Sequence, residues 1–298
     1  MPRPEPPYRM IAIDLDGTLL GADGAVSERT KRAVHGCLSA GLLVCFATGR
    51  NFTESRTVLD AVEHYDSAVF VGGAMVMDTK RHVTLHRTLM EPQLAGEVCR
   101  VLEDAGHAAL ALQDTGTAGV DYLITDGVAL NEATGRWMQV TTAKVIPVRR
   151  LGDYAHEHTI RVGICALPDD VARTRKLLDE RFAERILCQN LIVPAYNVEV
   201  LEVFDPAVNK WEGLLHVARQ HAVEPSQIIA IGDDLNDVAM VRNAGLGVAM
   251  GNAKAEVLAV AKRVIGRNSD DGLAIFLEEL VAQHLVEPAP PATPTPPA

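Results

Sequence analysis

Short, continuously apolar segments alternate with amphipathic segments at the start of the chain. The run Met10–Ile13 contains no polar residue and therefore predicts a strand that is buried on both faces. Ser27 is a suitable N-cap for a following helix. Two further apolar runs, residues 42–47 and 68–71, lie on either side of a second helical pattern at residues 51–64. This alternation predicts a parallel sheet with right-handed crossovers.

The middle of the chain, residues 85–193, follows a different pattern. Polar and apolar residues alternate there, as in TIRVGICAL, and two helices are expected near residues 91–104 and 169–182. From Val198 the first pattern returns. The strands expected there are 228–231, 246–250 and 263–266, and the helices are 210–221, 253–261 and 272–285.

These patterns predict an α/β protein with a Rossmann-like parallel-sheet core and an inserted α+β domain. The expected core comprises residues 9–84 and 195–286, and the expected insertion comprises residues 85–194. Residues 1–8 are expected to be a flexible N-terminus. The proline-rich residues 287–298 are expected to be disordered.

Composition and charge disfavour nucleic acid as a partner. The net charge of −11 and the aromatic content of 4% disfavour a protein that binds nucleic acid. They do not exclude a small phosphorylated ligand, because a few local cations can dominate one pocket. No apolar run is long enough to span a membrane, and the N-terminus does not resemble a secretion signal. We therefore expect a cytoplasmic protein; the oligomeric state cannot be predicted.

Cysteine and histidine usage argues against disulfides and zinc. The five cysteines are scattered, form no Cys-x-x-Cys pair, and favour free buried thiols. The histidines lack metal-ligand spacing, and the segment His156–His158 is interpreted as a polar strand edge.

Polar clusters follow several of the predicted strands. Asp14 and Asp16 come after the first strand, Thr48–Arg50 after the second, and Asp233–Asp237 after a later one. Alone, the first cluster is equally well an Asp-Gly turn. Because the carboxyl ends of parallel strands share one edge of a sheet, however, the three clusters should converge. Oxygen ligands of this kind suit Mg²⁺ better than Ca²⁺ or Zn²⁺.

Four segments now carry a family resemblance. In order, DLDGTL, ATGR, Lys210 and GDDLNDVAM resemble the four motifs of the haloacid-dehalogenase-like phosphohydrolases. The large insertion resembles the α/β cap of the Cof-type branch. The resemblance runs from about Arg9 to Leu280 and includes MGNAKAEV and RNSDDGLA. It implies a Mg²⁺-dependent phosphatase that hydrolyses small phosphomonoesters through an aspartyl-phosphate.

The resemblance implies catalytic roles for three residues. Asp14 would be the nucleophile and a metal ligand. Asp16 would act as general acid and then general base, with its backbone carbonyl on the metal. Lys210 would neutralise charge on Asp14 and on the substrate phosphoryl group.

The resemblance also implies three substrate-binding residues. The phosphoryl oxygens of the substrate would be contacted by Thr48, the Gly49 amide and Asn236. Lys210 would bind the same group. Arg50 is left open between substrate binding and pairing with a surface acid.

The later acidic cluster would complete the metal site. Asp233 would be a metal ligand, and Asp237 would orient metal-bound water or Lys210. Asp234 is interpreted as a solvated charge. Asn252 either supports this loop or caps a helix.

The chain departs from the family pattern at two places. Gly72 stands where an asparagine is usual, which could change how the non-phosphate part of a substrate is held. Trp211 stands where a glycine usually follows the lysine, which weakens the assignment of Lys210.

The sequence does not identify a single class of substrate. The resemblance implies sugar phosphates, nucleotides such as flavin mononucleotide, or pyridoxal phosphate, and nothing selects among the cap residues Asp121, Tyr122, Arg136 and Lys144. A phosphotransferase or phosphomutase of the same fold, and a non-catalytic phosphate-binding module, are the alternatives.

Overall fold

The computed structural model describes residues 8–193 and 198–282. The described residues form two compact units, one from residues 8–81 and 209–282 and one from the described part of His82–Val208. The expected flexibility of residues 1–7 and the expected disorder of residues 287–298 concern residues outside the described ranges. Tyr8, the first described residue, is buried.

The first unit is built from two stretches of chain that alternate strands and helices. The first stretch contains β1 (Met10–Ile13), α1 (Glu28–Ser39), β2 (Leu43–Phe46), α2 (Phe52–Val62), β3 (Ser67–Phe70) and β4 (Met75–Asp78). Its helices begin as the sequence predicts, because Ser27 accepts the Thr30 N–H and Asn51 accepts the Glu54 N–H.

The second unit lies between these two stretches in sequence. Its elements are β5 (Val83–Arg87), α3 (Pro92–Asp104), β6 (Leu110–Gln113), α4 (Thr115–Ala118), β7 (Tyr122–Thr125), α5 (Glu132–Val140), β8 (Val145–Val148), β9 (Thr159–Ala166), α6 (Pro168–Phe182), β10 (Leu187–Val193) and β11 (Val198–Phe204).

The chain then returns to the first unit. The remaining elements are α7 (Lys210–Gln220), β12 (Ile228–Gly232), α8 (Val238–Asn243), β13 (Leu246–Ala249), α9 (Ala255–Leu258), β14 (Arg263–Val264) and α10 (Gly272–Ala282). The expected helix over residues 253–261 is thus shorter, with turns on either side of α9.

A parallel sheet forms the centre of the first unit. Its strand order is β14-β13-β12-β1-β2, and every pairing is parallel, so the prediction of an α/β fold with a parallel core sheet is confirmed. β4, which the sequence did not predict, pairs with β3 in an antiparallel hairpin. In register, Ile13 lies between Phe46 and Ile231. The residues that follow these three therefore emerge at the same edge of the sheet.

The second unit is built on a six-stranded sheet of order β10-β11-β9-β6-β7-β8, in which β7 and β8 alone pair in parallel. Apolar residues of α3 and α6 pack with one face of its strands in a buried cluster. The extent of this unit differs from the expected insertion. β11, assigned from the sequence to the core, pairs with β9 and β10, and its Leu201 and Val203 belong to the same buried cluster.

The five cysteines are free thiols, as predicted. Burial raises the pKa of Cys188 to about 11 and that of Cys37 to about 12, so these thiols are poor nucleophiles. The interpretation of His156 as part of a polar edge is wrong. His156 is fully buried in a turn before β9, where its ring bonds the Leu151 carbonyl and the Thr159 hydroxyl.

Among the described helices, none is both long and apolar enough to cross a bilayer.

Candidate active site

Asp14 emerges from the middle strand of the parallel sheet. It follows β1 directly, and its N–H donates to the Ile231 carbonyl at 3.1 Å, which continues the sheet pairing by one residue. Its side chain is 4% exposed. A turn of residues 15–19 follows, in which Gly17 has φ of +81°. A Cβ at Gly17 would lie 2.2 Å from Asp233 Oδ2, so glycine is required for this close approach.

Lys210 is buried between two carboxylates. It is the first residue of α7, a helix capped by the Asn209 side chain, and it is 0% exposed. Its Nζ donates to Asp14 Oδ1 at 2.5 Å and to Asp237 Oδ1 at 2.6 Å. Burial lowers the pKa of Lys210, but the two carboxylates outweigh it, so the pKa is raised above its ordinary value. Lys210 is therefore a fixed cation.

Trp211 explains how the start of α7 is held without the usual glycine. It is buried and packs in the core cluster of the first unit with residues such as Leu214. On the other side, a Cβ at Gly73 would lie 2.0 Å from the Asn209 carbonyl oxygen, so Gly73 permits close contact with the residue before Lys210. The tryptophan in place of the usual glycine is thus compatible with the position of Lys210. The structure gives no account of the lost asparagine at Gly72.

The acidic cluster after β12 divides into residues with different environments. Asp237 is fully buried, and its Oδ2 accepts the N–H groups of Asp233 and Asp234 at 2.9 and 3.0 Å. Together with the bond from Lys210, this leaves Asp237 holding the loop in place. Asp234 is half-exposed and forms an ion pair with Lys254 at 2.5 Å. Asp233 Oδ1 accepts the Thr18 hydroxyl at 2.8 Å.

Negative charge exceeds positive charge at this site. Asp14, Asp233 and Asp237 each offer an oxygen, and these oxygens lie within 4.8 Å of one another. Burial and the nearby Asp237 raise the pKa of Asp14 despite the contact with Lys210. Burial also raises the pKa of Asp233, to about 6. Two buried carboxylates and one half-buried carboxylate with a single cation among them suit a hard divalent ion bound through oxygen.

Two loops meet beside this cluster. Thr48 is fully buried, and its Oγ1 accepts the Arg50 N–H at 3.1 Å. A Cβ at Gly49 would lie 3.4 Å from Asn236 Nδ2, so these two residues are neighbours. Asn236 Oδ1 is buried, and within the described ranges it is the one such side-chain atom without a hydrogen-bond partner. Asn236 therefore has a buried polar atom without a hydrogen-bond partner beside the loop of Thr48 and Gly49.

Arg50 pairs with Asp16. Its Nε donates to Asp16 Oδ2 at 2.8 Å, and its Nη2 donates to Asp16 Oδ1. The side chain of Asp16 is 56% exposed, unlike that of Asp14. Of the two roles left open by the sequence, the structure shows pairing with an acid, and that acid is the candidate acid/base.

Asn252 supports the loops and does not cap a helix. Its Nδ2 donates to the Gly17 carbonyl at 2.9 Å and, at 3.4 Å, to Asp233 Oδ2, whereas the N-cap position of α9 is Lys254. Its Oδ1 accepts the Asn268 N–H at 3.0 Å. Thr18 and Asn268 were missed from the sequence. Both lie within segments that resemble the family, DLDGTL and RNSDDGLA, and this location could have indicated that they belong to the site.

A family model described as haloacid dehalogenase-like hydrolase matches residues 11–277. The chain belongs to this family. Among its relatives is the 5-amino-6-(5-phospho-D-ribitylamino)uracil phosphatase YitU of Bacillus subtilis, 30% identical over 92% of this chain and 97% of the relative. An HMP-PP phosphatase of Cronobacter sakazakii is 30% identical over 90% of this chain and 94% of the relative.

Solved structures show the same fold. A haloacid dehalogenase-like hydrolase from Bacteroides thetaiotaomicron superposes with a TM-score of 0.77 at 19% identity, covering 92% of this chain and 99% of that one. With the family match and the phosphatase relatives, the chain is a hydrolase of the phosphatase type. The resemblance found in the four sequence motifs is confirmed.

Proposed function

We propose that this protein is a Mg²⁺-dependent phosphatase that hydrolyses small phosphomonoesters through a phosphoryl group carried on Asp14. The observation that carries the proposal is the buried Lys210 ammonium, which donates to Asp14 and Asp237 at the edge where the sheet presents Asp233. A structural ion pair would not need the further carboxylate beside it.

Asp14, Asp233 and the Asp16 backbone carbonyl would hold the ion. Asp237 is assigned a supporting role, because its two oxygens already accept hydrogen bonds from Lys210 and from two backbone N–H groups. When bound, Mg²⁺ supplies positive charge that offsets the anionic phosphate ester facing an anionic nucleophile.

In the first step, an Asp14 carboxylate oxygen attacks phosphorus, and the bond between phosphorus and the leaving oxygen breaks. The proton on the Asp16 carboxyl group passes to that oxygen, so an alcohol leaves. Lys210 fixes the orientation of Asp14 through Oδ1 and stays protonated.

In the second step, the Asp16 carboxylate takes a proton from water while the water oxygen bonds to phosphorus. The Asp14–phosphorus bond breaks, which releases inorganic phosphate and restores both aspartates. Thr48, the Gly49 amide and Asn236 would donate to the phosphoryl oxygens during both steps. The Asn236 amide beside Gly49 supports this assignment.

We further propose that the unit His82–Val208 acts as the cap that selects the leaving group, and that the protein works in the cytoplasm. The candidate substrates are sugar phosphates, flavin mononucleotide, pyridoxal phosphate and, from the name of the B. subtilis relative, the ribityl phosphate of a substituted uracil.

A substrate panel tests the proposal. Phosphate release is measured for each candidate with Mg²⁺ and with EDTA, using D14N as the inactive control. Release from at least one ester that stops with EDTA and with D14N is expected. No release from any ester, transfer to an acceptor without free phosphate, or full activity in EDTA would contradict it.

A further inference from the structure

Arg50 forms a bidentate salt bridge with Asp16. Two guanidinium nitrogens, Nε and Nη2, each donate to a different carboxylate oxygen of Asp16. This fork geometry fixes the plane of the carboxylate as well as its position, which a single-point contact cannot do.

The base of the Arg50 side chain is itself held on both sides. Its backbone N–H donates to Thr48 Oγ1 at 3.1 Å, and its backbone carbonyl accepts the Val71 N–H at 2.9 Å. Thr48 is fully buried, and its own N–H donates to the Val69 carbonyl at 2.9 Å. Arg50 therefore extends from a rigid loop that is tied to β3.

Asp16, by contrast, has little else to orient it. Its side chain is 56% exposed, and Asp16 lies in the turn of residues 15–19 with a non-helical backbone. An exposed aspartate without a partner would sample several rotamers. A proton-transfer group must lie within hydrogen-bond reach of the reacting oxygen, so loss of orientation directly lowers its rate.

We propose that Arg50 is a positioning residue that holds the Asp16 carboxyl group for proton transfer. The inference rests on the proposed function, because it assumes that Asp16 serves a leaving oxygen. Arg50 neither gives nor takes a proton and does not contact the reacting atoms. It links the loop that carries the phosphoryl-binding Thr48 to the group that protonates the leaving group.

A leaving-group series tests this role. The value of kcat/KM reports the steps up to the departure of the alcohol, so it isolates proton donation by Asp16. An alkyl phosphate needs that proton, whereas p-nitrophenyl phosphate releases a stable anion without it. The variants are R50Q, R50K and D16N, with R56Q, an exposed arginine on α2, as the matched control.

R50Q is expected to lower kcat/KM for the alkyl phosphate by about 10- to 100-fold, which is less than the roughly 10²- to 10⁴-fold that general acid catalysis contributes, because the acid is misplaced but still present. The loss for p-nitrophenyl phosphate should stay below about 3-fold. R50K keeps the positive charge but cannot form the bidentate contact. Its kcat/KM for the alkyl phosphate should therefore remain at least about 5-fold below that of the wild type. R56Q should match wild type on both, and R50Q/D16N should be no worse than D16N alone.

Equal losses on both substrates, no loss, or full recovery in R50K would overturn the inference. Titration calorimetry of Mg²⁺ binding separates a positioning role from a structural one. R50Q should leave the Mg²⁺ affinity unchanged. A weakened affinity would indicate a structural role and would also overturn the inference. If R50Q does not fold, R50K carries the same comparison. A wild type without activity on any ester refutes the proposed function and this inference with it, whereas an active wild type with unselective variants refutes only the inference.

Discussion

Each unit contains a buried site with carboxylate charge, a single glutamate in one unit and three aspartates in the other, and the two sites are built in opposite ways. In the unit His82–Val208, Glu103 accepts the Thr125 hydroxyl at 2.7 Å, the Leu151 N–H at 2.6 Å and the Arg150 Nε at 3.3 Å. In the other unit, the site of Asp14, Asp233 and Asp237 contains three carboxylates around Lys210.

The difference lies in how the negative charge is compensated. Glu103 is one carboxylate whose oxygens are covered by donors, including a cation, which is what a structural buried charge requires. The Asp14 site has a surplus of negative charge, and the pKa values of Asp14 and Asp233 are raised, first by burial and then by the neighbouring carboxylates. Surplus buried charge costs stability and is kept where a ligand compensates it. A buried carboxylate whose hydrogen bonds and charge are compensated within the protein, such as Glu103, is typical of a structural role. Uncompensated carboxylates, as at the Asp14 site, indicate a site that binds a ligand.

The largest expected effect is on turnover. D14N removes the nucleophile, so phosphate release should fall by about 10⁴-fold or more. Because it also removes one of the surplus charges, the free energy of unfolding of the metal-free protein should stay the same or rise. Steady-state assays and chemical denaturation check the two parts. A clear loss of stability in D14N would mean that the charges at this site are not in surplus.

The Glu103 cluster should give the reverse result. E103A leaves the Thr125 hydroxyl and the Leu151 N–H buried without their acceptor, so we expect a stability loss of about 2–4 kcal/mol. Mg²⁺ binding at the other unit should not change. D104A, at the adjacent exposed position that also pairs with Arg150, is the control and should have little effect. Denaturant melts and calorimetry measure both, and equal effects of the two substitutions would remove the contrast.

Added Mg²⁺ should stabilise the protein through the site of Asp14 and Asp233 and not through Glu103. At ten times its dissociation constant, Mg²⁺ should stabilise the wild type by about 1.4 kcal/mol and D233N much less. The thermal midpoint with and without EDTA gives this difference. E103Q should respond to Mg²⁺ as the wild type does, and an equal response in D233N would exclude Asp233 as a ligand.

The smallest expected effect concerns pH and His156. Burial lowers the pKa of His156 below its ordinary 6.5, while the unfolded chain titrates at the ordinary value. Neutral His156 thus contributes stability that is complete above pH 6.5 and is lost as pH falls toward the folded pKa, by up to about 1.4 kcal/mol per pH unit.

The stability advantage of the wild type over H156Q should therefore shrink between pH 7.5 and pH 5. Unfolding curves across that range measure it. An advantage that stays constant would show that His156 is not held neutral.

Much of the fold could be predicted because the sequence is locally consistent. Met10–Ile13 has one burial pattern that fits a central parallel strand, and Ser27 and Asn51 cap the helices that follow. β11 was assigned to the wrong unit because a short strand pattern does not show which sheet it joins. The antiparallel strand β4 was not predicted at all.

The site was predictable where strand register alone brings residues together, as for Asp14 and Asp233. The environment of each side chain was not. The sequence does not show that Arg50 forks onto Asp16, that Asn252 reaches both Gly17 and Asp233, or that His156 is buried. Such contacts depend on rotamers and loop packing, which have no periodic signal.

The most direct measurement is acid quenching of the enzyme during turnover of p-nitrophenyl phosphate with Mg²⁺, followed by peptide mass spectrometry. We predict a phosphoryl group on Asp14, present at a higher level in D16N because the second step lacks its base, and absent from D14N. An active enzyme that carries the phosphoryl group on another residue, or that shows none in D16N while still releasing phosphate, would contradict the account.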